Sequence, residues 1–289
     1  MELEHIATHR GRLSDFLKGE MALSAGLINR LKRCSGIFVN GVAVWTNHAV
    51  GVGDRIAVKL DDPEPTYPAE DMALSIRFED EHILVVDKPP GMLIHPSRQR
   101  NTGTLANGVL GYYKKTGQSS AFHPATRLDR DTFGLVLLAK NPHIHRLFND
   151  LHGTGLVRKT YHALIFGAMP RETGFIDAPI ARCPLPSLLR QVDPTGQPSR
   201  TGYRVLEQMA DRSLLALEPL TGRTHQLRIH CAHLGCPILG DPQYGTEESQ
   251  ALSQALGFSH QQLCAKFLDF RHPVSEERMH LESALDVGR

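Results

Sequence analysis

Pro124-Ala125-Thr126-Arg127-Leu128-Asp129-Arg130-Asp131-Thr132-Phe133-Gly134-Leu135 sets one carboxylate, Asp129, between two arginines and closes on a polar turn. An apolar run follows at once, Leu135-Val136-Leu137-Leu138-Ala139, and reads as a strand. A charged loop carried on a rigid strand is a common way to present a reactive group. Taken alone, an aspartate beside arginines is more often a structural ion pair than a nucleophile or base. An opposite charge close by lowers a carboxylate pKa. That suits an ionised nucleophile and not a general acid. A second run, Leu220-Thr221-Gly222-Arg223-Thr224-His225-Gln226-Leu227-Arg228, packs a turn glycine, arginines and hydroxyls at the expected start of a helix. Arg223 there is either a solvated turn residue or a planar donor aimed at a carboxylate or phosphate.

Around these runs the chain divides by charge. Its net charge is only +1. Residues 10–60 nevertheless hold eight Lys/Arg against three acids, and residues 61–87 hold nine acids against one arginine. Such a switch suggests a basic module joined to a differently charged body. The basic block reads as two short helices and a hairpin. Ser24 caps a helix that buries Leu27, Ile28 and Leu31, which leaves Arg30, Lys32 and Arg33 toward solvent. Asn40-Gly41 between Ile37-Phe38-Val39 and Val42-Ala43-Val44-Trp45 is a hairpin signal. We therefore divide the chain into a module at 1–62, an acidic proline-rich linker at 63–73 that has little to bury, and a larger unit at 74–289.

The larger unit reads as α+β. Strands are expected at 82–87, 135–140, 160–166, 201–208 and 213–218. One helix opens on Asn141-Pro142 and another runs from about Thr224 to His233, ended by Gly235. Strands do not alternate strictly with helices, which disfavours a doubly wound parallel sheet. No apolar run approaches the roughly 18 residues of a membrane helix. Five scattered cysteines argue against a disulfide framework and for a reducing, cytoplasmic setting. The cluster His225, His230, Cys231, His233 and Cys236 lacks the paired spacing of a zinc site and reads as a core cysteine with polar histidines. Glycine-rich phosphate loops and a Gly-x-Ser-x-Gly elbow are absent from the sequence.

Taken together the runs resemble the RluA-like family of RNA pseudouridine synthases. Four segments carry the resemblance: Val85 to Met92 with His95-Pro96; Arg127 to Thr132 with Gly134; Lys159 to Leu164; and Thr221 to Arg228 followed by His230, Gly235 to Asp241 and Tyr244-Gly245. The first 60 residues resemble the small alpha-L RNA-binding module, which is also found in a small-subunit ribosomal protein. The resemblance implies a mixed, largely antiparallel central sheet flanked by helices. It also implies isomerisation of uridine to pseudouridine without metal or cofactor, with structured RNA as the partner. Ribosomal large-subunit RNA comes first and transfer RNA second, for a chain acting as a monomer away from membranes. Residue by residue, Asp129 would be the catalytic aspartate. Tyr161 would stack on the base and abstract its proton, and Arg223 would pair with Asp129. Arg127 would occupy the space of the extruded uridine, and Lys88, with Arg30, Lys32 and Arg33, would contact RNA. This chain has Thr126 where the family has His, Phe133 where it has Ser, and Cys264 where it has His. A fold retained only for RNA binding, or a zinc enzyme acting on a base, would instead be indifferent to Asp129 or require metal.

Overall fold

The computed structural model describes residues 2–59, 66–97, 99–151, 156–184, 186–187 and 189–288. The amino-terminal part contains β1 (Glu2–Ile6), β2 (Gly11–Arg12), α1 (Leu13–Lys18), α2 (Ala25–Arg33), β3 (Ile37–Val39), β4 (Val42–Ala43), β5 (Ala49–Val50) and β6 (Arg55–Lys59). Four of these strands form a sheet in the order β1–β6–β3–β4, and β2 pairs with β5. Leu13, Phe16 and Leu17 of α1 pack with Leu27, Ile28 and Leu31 of α2 and with Ile56 and Val58 of β6, in a core of their own. Ser24 accepts a hydrogen bond from the Leu27 amide at 3.0 Å, the expected cap. Asn40 and Gly41 take positive φ, as an Asn-Gly hairpin requires. Sequence periodicity alone did not signal β1, whose residues alternate between exposed and half-buried.

The remainder contains β7 (Ser75–Glu79), β8 (Ile83–Lys88), α3 (Leu105–Lys115), β9 (His123–Pro124), β10 (Phe133–Ala139), α4 (Pro142–Asp150), β11 (Val157–Phe166), β12 (Thr173–Asp177), β13 (Ile180–Arg182), β14 (Arg190–Val192), β15 (Arg200–Gln208), β16 (Arg212–Pro219), α5 (Gln226–His233), α6 (Glu247–Ala255), β17 (Leu263–Arg271) and β18 (Arg278–Glu282). The main sheet runs β12–β15–β16–β11–β17–β10–β8–β7. Its neighbours are antiparallel except β10 and β17, which touch in parallel at Phe133–Cys264 and Gly134–Ala265. The architecture is α+β with a mixed, largely antiparallel sheet.

Every residue of β8 and β10 is buried, which explains their near-continuous apolar sequence. Leu84, Val86, Val136 and Leu138 face α3, while Ile83, Val85, Leu135 and Leu137 face the cluster that holds Ile144 and Phe148 of α4. Full burial of each such side chain contributes about 1.5–3 kcal/mol. Together they make β8 and β10 a rigid base for the loop at Asp129.

One expectation needs correction. Residues 63–65 of the proposed linker lie outside the described residues. The rest of it is not a free spacer, because it packs along α3. The Glu70 amide donates to the Asn107 carbonyl at 2.9 Å, and Tyr67 and Leu74 join the core beneath α3. Two glycines make this approach possible: a Cβ on Gly111 would stand 1.9 Å from the Glu70 carbonyl oxygen, and one on Gly108 would crowd Met72.

Candidate active site

A cavity of about 550 Å³ opens where the loop before β10, strand β11 and the start of α5 converge. Asp129, Tyr161, Arg223 and Arg127 all line it. The loop is pinned from several sides. Leu128 packs against two apolar cores, the one beneath α3 and the one that holds Tyr161 and Leu227. Thr126 Oγ1 accepts from the Leu137 amide at 2.9 Å, and Thr132 Oγ1 accepts from Gln261 at 2.5 Å. Gly134 has φ +101°, and a Cβ there would stand 2.5 Å from the Ala265 carbonyl oxygen, so the strand can start only with glycine at that position. Thr126 is thus an interior fastening. Phe133 is buried against the His260 ring and does not line the cavity.

Asp129 is one-third exposed and forms an ion pair, but not with the arginine expected. Its Oδ2 accepts from Arg228 Nη1 at 3.2 Å. Arg223 is exposed and donates from Nε to the Pro198 carbonyl at 3.3 Å. The reason is the start of α5. The helix begins two residues later than expected, after His225, which takes a left-handed conformation at φ 56° and ψ 18°. Gln226 then fixes the preceding turn: its Oε1 accepts from Thr221 Oγ1 at 2.8 Å and from the Arg223 amide at 3.0 Å. Arg223 is left in that turn, and Arg228 faces Asp129 from inside the helix. The arginines adjacent to Asp129 in sequence also turn elsewhere: Arg130 pairs with Asp131 at 2.8 Å, and Arg127 has no ion-pair partner among the described residues.

Arg228 is itself held from behind. It is only 4% exposed, and Asp241, 1% exposed, grips it bidentately at 2.6 and 2.8 Å. Gln243 Oε1 accepts a further bond at 2.7 Å, and the Tyr244 ring lies 5.0 Å from the guanidinium carbon. Burial pulls the guanidinium pKa down, but Asp241 and Asp129 outweigh it and hold the group above its ordinary value. His225 Nε2 stands 3.8 Å from Asp129. Burial holds this imidazole below its usual value, with Asp129 opposing and Arg228 adding to the depression. Near neutral pH the histidine is therefore uncharged, and its Nδ1 shares a hydrogen bond with the Tyr244 hydroxyl at 2.9 Å. Asp241, Tyr244 and His225 were quoted from the sequence but given no role beside Asp129. Asp241 and Tyr244 stand in the quoted run after α5, but nothing local tells that they support Arg228.

Tyr161, at the middle of β11, is buried beside Asp129. Burial pushes its phenol well above the ordinary tyrosine value, and the charge of Asp129 adds to this. In the free protein the phenol keeps its proton and offers a flat apolar face and a donor, not a ready base.

Lys88 is a second correction. Its side chain is fully buried in β8 and donates to the carbonyls of Pro89, Met92 and Arg130 at 3.0, 2.9 and 2.8 Å, so it cannot reach RNA. Burial pulls its pKa down to about 7, against the charges of Asp131 and Asp129. Its place is under the Asp129 loop. Arg33 is exposed on α2, and Arg30 and Lys32 are half-exposed, all remote in sequence from the cavity loops. Among the described residues no three His, Cys, Asp or Glu side chains are grouped to hold a metal ion. His230 is spent on Thr201 at 2.9 Å and the Ala178 carbonyl at 3.0 Å, and Cys231 lies in the core.

The family model for RNA pseudouridylate synthase matches residues 82–233, more than half of the chain and the part that builds the cavity. The chain is 37% identical over 270 residues to the uncharacterized RNA pseudouridine synthase YjbO of Bacillus subtilis, covering 92% of this chain and 93% of that one. It is 35% identical over 256 residues to the ribosomal large subunit pseudouridine synthase D of Pseudomonas aeruginosa, covering 86% and 79%. Its fold is like that of human RNA Pseudouridylate Synthase Domain Containing 1, with a TM-score of 0.61 and 24% identity over 78% of this chain and 94% of that one.

Proposed function

The chain belongs to the RNA pseudouridylate synthase family, and from that premise we propose that it isomerises uridines of large-subunit ribosomal RNA with Asp129 as the reacting carboxylate. As an isomerase of this family it breaks the glycosidic bond, turns the uracil and rejoins carbon 5 to the same sugar. The observation that carries the role of Asp129 is its setting. It is a single carboxylate at the floor of a cavity, facing a guanidinium that Asp241 already orients. Such a carboxylate is placed to act on the sugar, either at the anomeric carbon or on the proton of the 2′ carbon. Arg228 and Asp241 fix its direction, so little reorganisation is needed as the reaction proceeds.

The target uridine must leave its stack to reach Asp129, at a cost of a few kcal/mol. Tyr161 offers the extruded base a flat face, and its protonated phenol favours stacking and hydrogen bonding over proton removal in the resting enzyme. The amino-terminal basic block, with Arg33 exposed on α2, supports contact with the phosphates of a structured RNA. Ribosomal RNA is favoured over transfer RNA because relatives such as the Pseudomonas protein are named for the large ribosomal subunit. The test is a map of pseudouridines in ribosomal and transfer RNA from a strain lacking this chain, complemented with wild type or with Asp129→Asn. Loss of a large-subunit ribosomal site that only wild type restores is the expected result. A site restored by Asp129→Asn overturns the role of Asp129, and a site confined to transfer RNA overturns the substrate.

A further inference from the structure

The network at Asp129 accounts for Arg228 and, behind it, Asp241, and it leaves two cations of the cavity wall without a partner in the protein. Arg127 and Lys159 both line the cavity, and neither side chain has a hydrogen-bond or ion-pair partner among the described residues. Each stands two residues before a floor residue, Arg127 before Asp129 and Lys159 before Tyr161. In the pairing of β11 with β17, Thr160 lies opposite Phe267 and Tyr161 opposite Ala265, so the extra residue of the irregularity is on β17. Strand β11 keeps its alternation, and Lys159 shares the face of Tyr161, about 6–7 Å along the strand.

The two cations feel each other. Burial, and then the charge of Arg127, push the Lys159 ammonium below its ordinary value. The same two causes, in the same order, depress His95 on the same wall. Asp129 is the sole carboxylate among the described lining residues, and Arg228 already occupies it. Like charges held together in a partly buried place are unfavourable until an anion joins them. No other carboxylate among the described lining residues supplies that anion, and an RNA strand does.

We propose that Arg127 and Lys159 form a phosphate subsite, which grips the phosphodiester beside the uridine whose sugar lies at Asp129. This rests on the reading that the uridine reacts at Asp129. A nucleotide's phosphate is one sugar away from its anomeric carbon, a reach that suits the spacing from Tyr161 to Lys159. The guanidinium fork suits paired phosphate oxygens, and the ammonium acts as a point charge. The subsite is blind to base identity and fixes the register of the strand.

The experiment measures binding and turnover separately, with total RNA from a strain lacking this chain as both ligand and substrate. Lys159→Gln is expected to weaken binding about tenfold and to lower the slope of log affinity against log salt by about 0.7, the loss of one single-strand phosphate contact. KM rises in step while kcat stays within about twofold, and Lys159→Arg restores both. Arg127→Gln, an exposed loop substitution, gives the same change of slope and serves if Lys159→Gln does not fold. An unchanged slope in either folded variant overturns the subsite, as does a fall in kcat at unchanged affinity. The binding arm involves no chemistry. If Asp129→Asn turns over like wild type but the slope still falls, the catalytic reading fails and the phosphate contact stands. If Asp129→Asn is inactive and the slope is unmoved, only the subsite fails.

Discussion

The floor and the outer wall of the cavity are built from the same kinds of charge and treat them in opposite ways. On the floor, every charged group has a protein partner: Asp129 meets Arg228, and Arg228 meets Asp241 and Gln243. On the wall, Arg127 and Lys159 face the cavity without a partner among the described residues. A cross-braced network in which each charge has a partner holds its geometry before substrate arrives, which suits groups that act in a transition state. An unneutralised pair gains most when an anion arrives, which suits groups that bind. On the proposed roles, the fold separates chemistry from capture within one cavity of about 550 Å³.

Asp129→Asn should have the largest effect. Loss of a positioned acid–base or nucleophilic group costs about a hundredfold to ten-thousandfold in rate. RNA affinity should hold or improve slightly, because a negative charge leaves the cavity. Equal losses of turnover and affinity would show the floor to be a binding wall as well. Arg228→Gln should approach the same loss of turnover, since among the described residues Arg228 is the one Lys or Arg within ion-pair distance of Asp129.

Next in size is the brace. Asp241→Ala leaves Arg228 buried and stripped of its bidentate partner, and breaking a buried pair in this way costs about 3–5 kcal/mol. Urea denaturation should report that loss, together with reduced turnover. A loss of under about 1 kcal/mol would mean that water or Gln243 replaces the carboxylate, and the floor would be less rigid than its distances suggest.

Much of this division could be read from residue order, and one part could not. The loop before β10, the strand after it and the capped start of α4 follow from local pattern, because the determining residues are neighbours in the chain. α3 escaped notice because Gly108 and Gly111 lower its helix propensity, and their reason is the approach of residues 70–72 from outside the helix. The partner of Asp129 escaped for a similar reason. Arg223 and Arg228 stand in one run, and which of them faces the carboxylate depends on where α5 begins. That start is set by His225 at positive φ and by the bonds of Gln226 to Thr201, Thr221 and Arg223. Lys88 misleads for the opposite reason: a lysine in a sequence that binds RNA invites a phosphate, but it lies in a strand where every residue is buried.

The pH profile of turnover tests the state of Tyr161 on the floor. Burial and Asp129 raise the Tyr161 phenol, so its folded value lies above the unfolded one and the proton stays on through the range in which a free tyrosine would lose it. For a raised acid of this kind, stability that depends on the neutral form is lost only as pH rises from the unfolded value through the folded one. Turnover should therefore show no alkaline decline from Tyr161 below about pH 10. A decline near pH 8 that disappears in Tyr161→Phe would mean that the phenol ionises in the working site.

The smallest expected effect tests the choice between the two arginines most directly. Arg223 is exposed, touches only a carbonyl through its side chain, and lines the cavity mouth. Arg223→Gln should raise KM by less than about tenfold and leave kcat nearly unchanged, since an exposed cation at a rim contributes about 1 kcal/mol or less. Arg228→Gln should do the reverse, with kcat collapsing at nearly constant KM. If Arg223→Gln abolished kcat instead, the turn before α5 would have to close over the bound uridine and bring Arg223 onto Asp129. The floor would then be completed by substrate and not built in advance, and the separation of chemistry from capture would hold only for the empty protein.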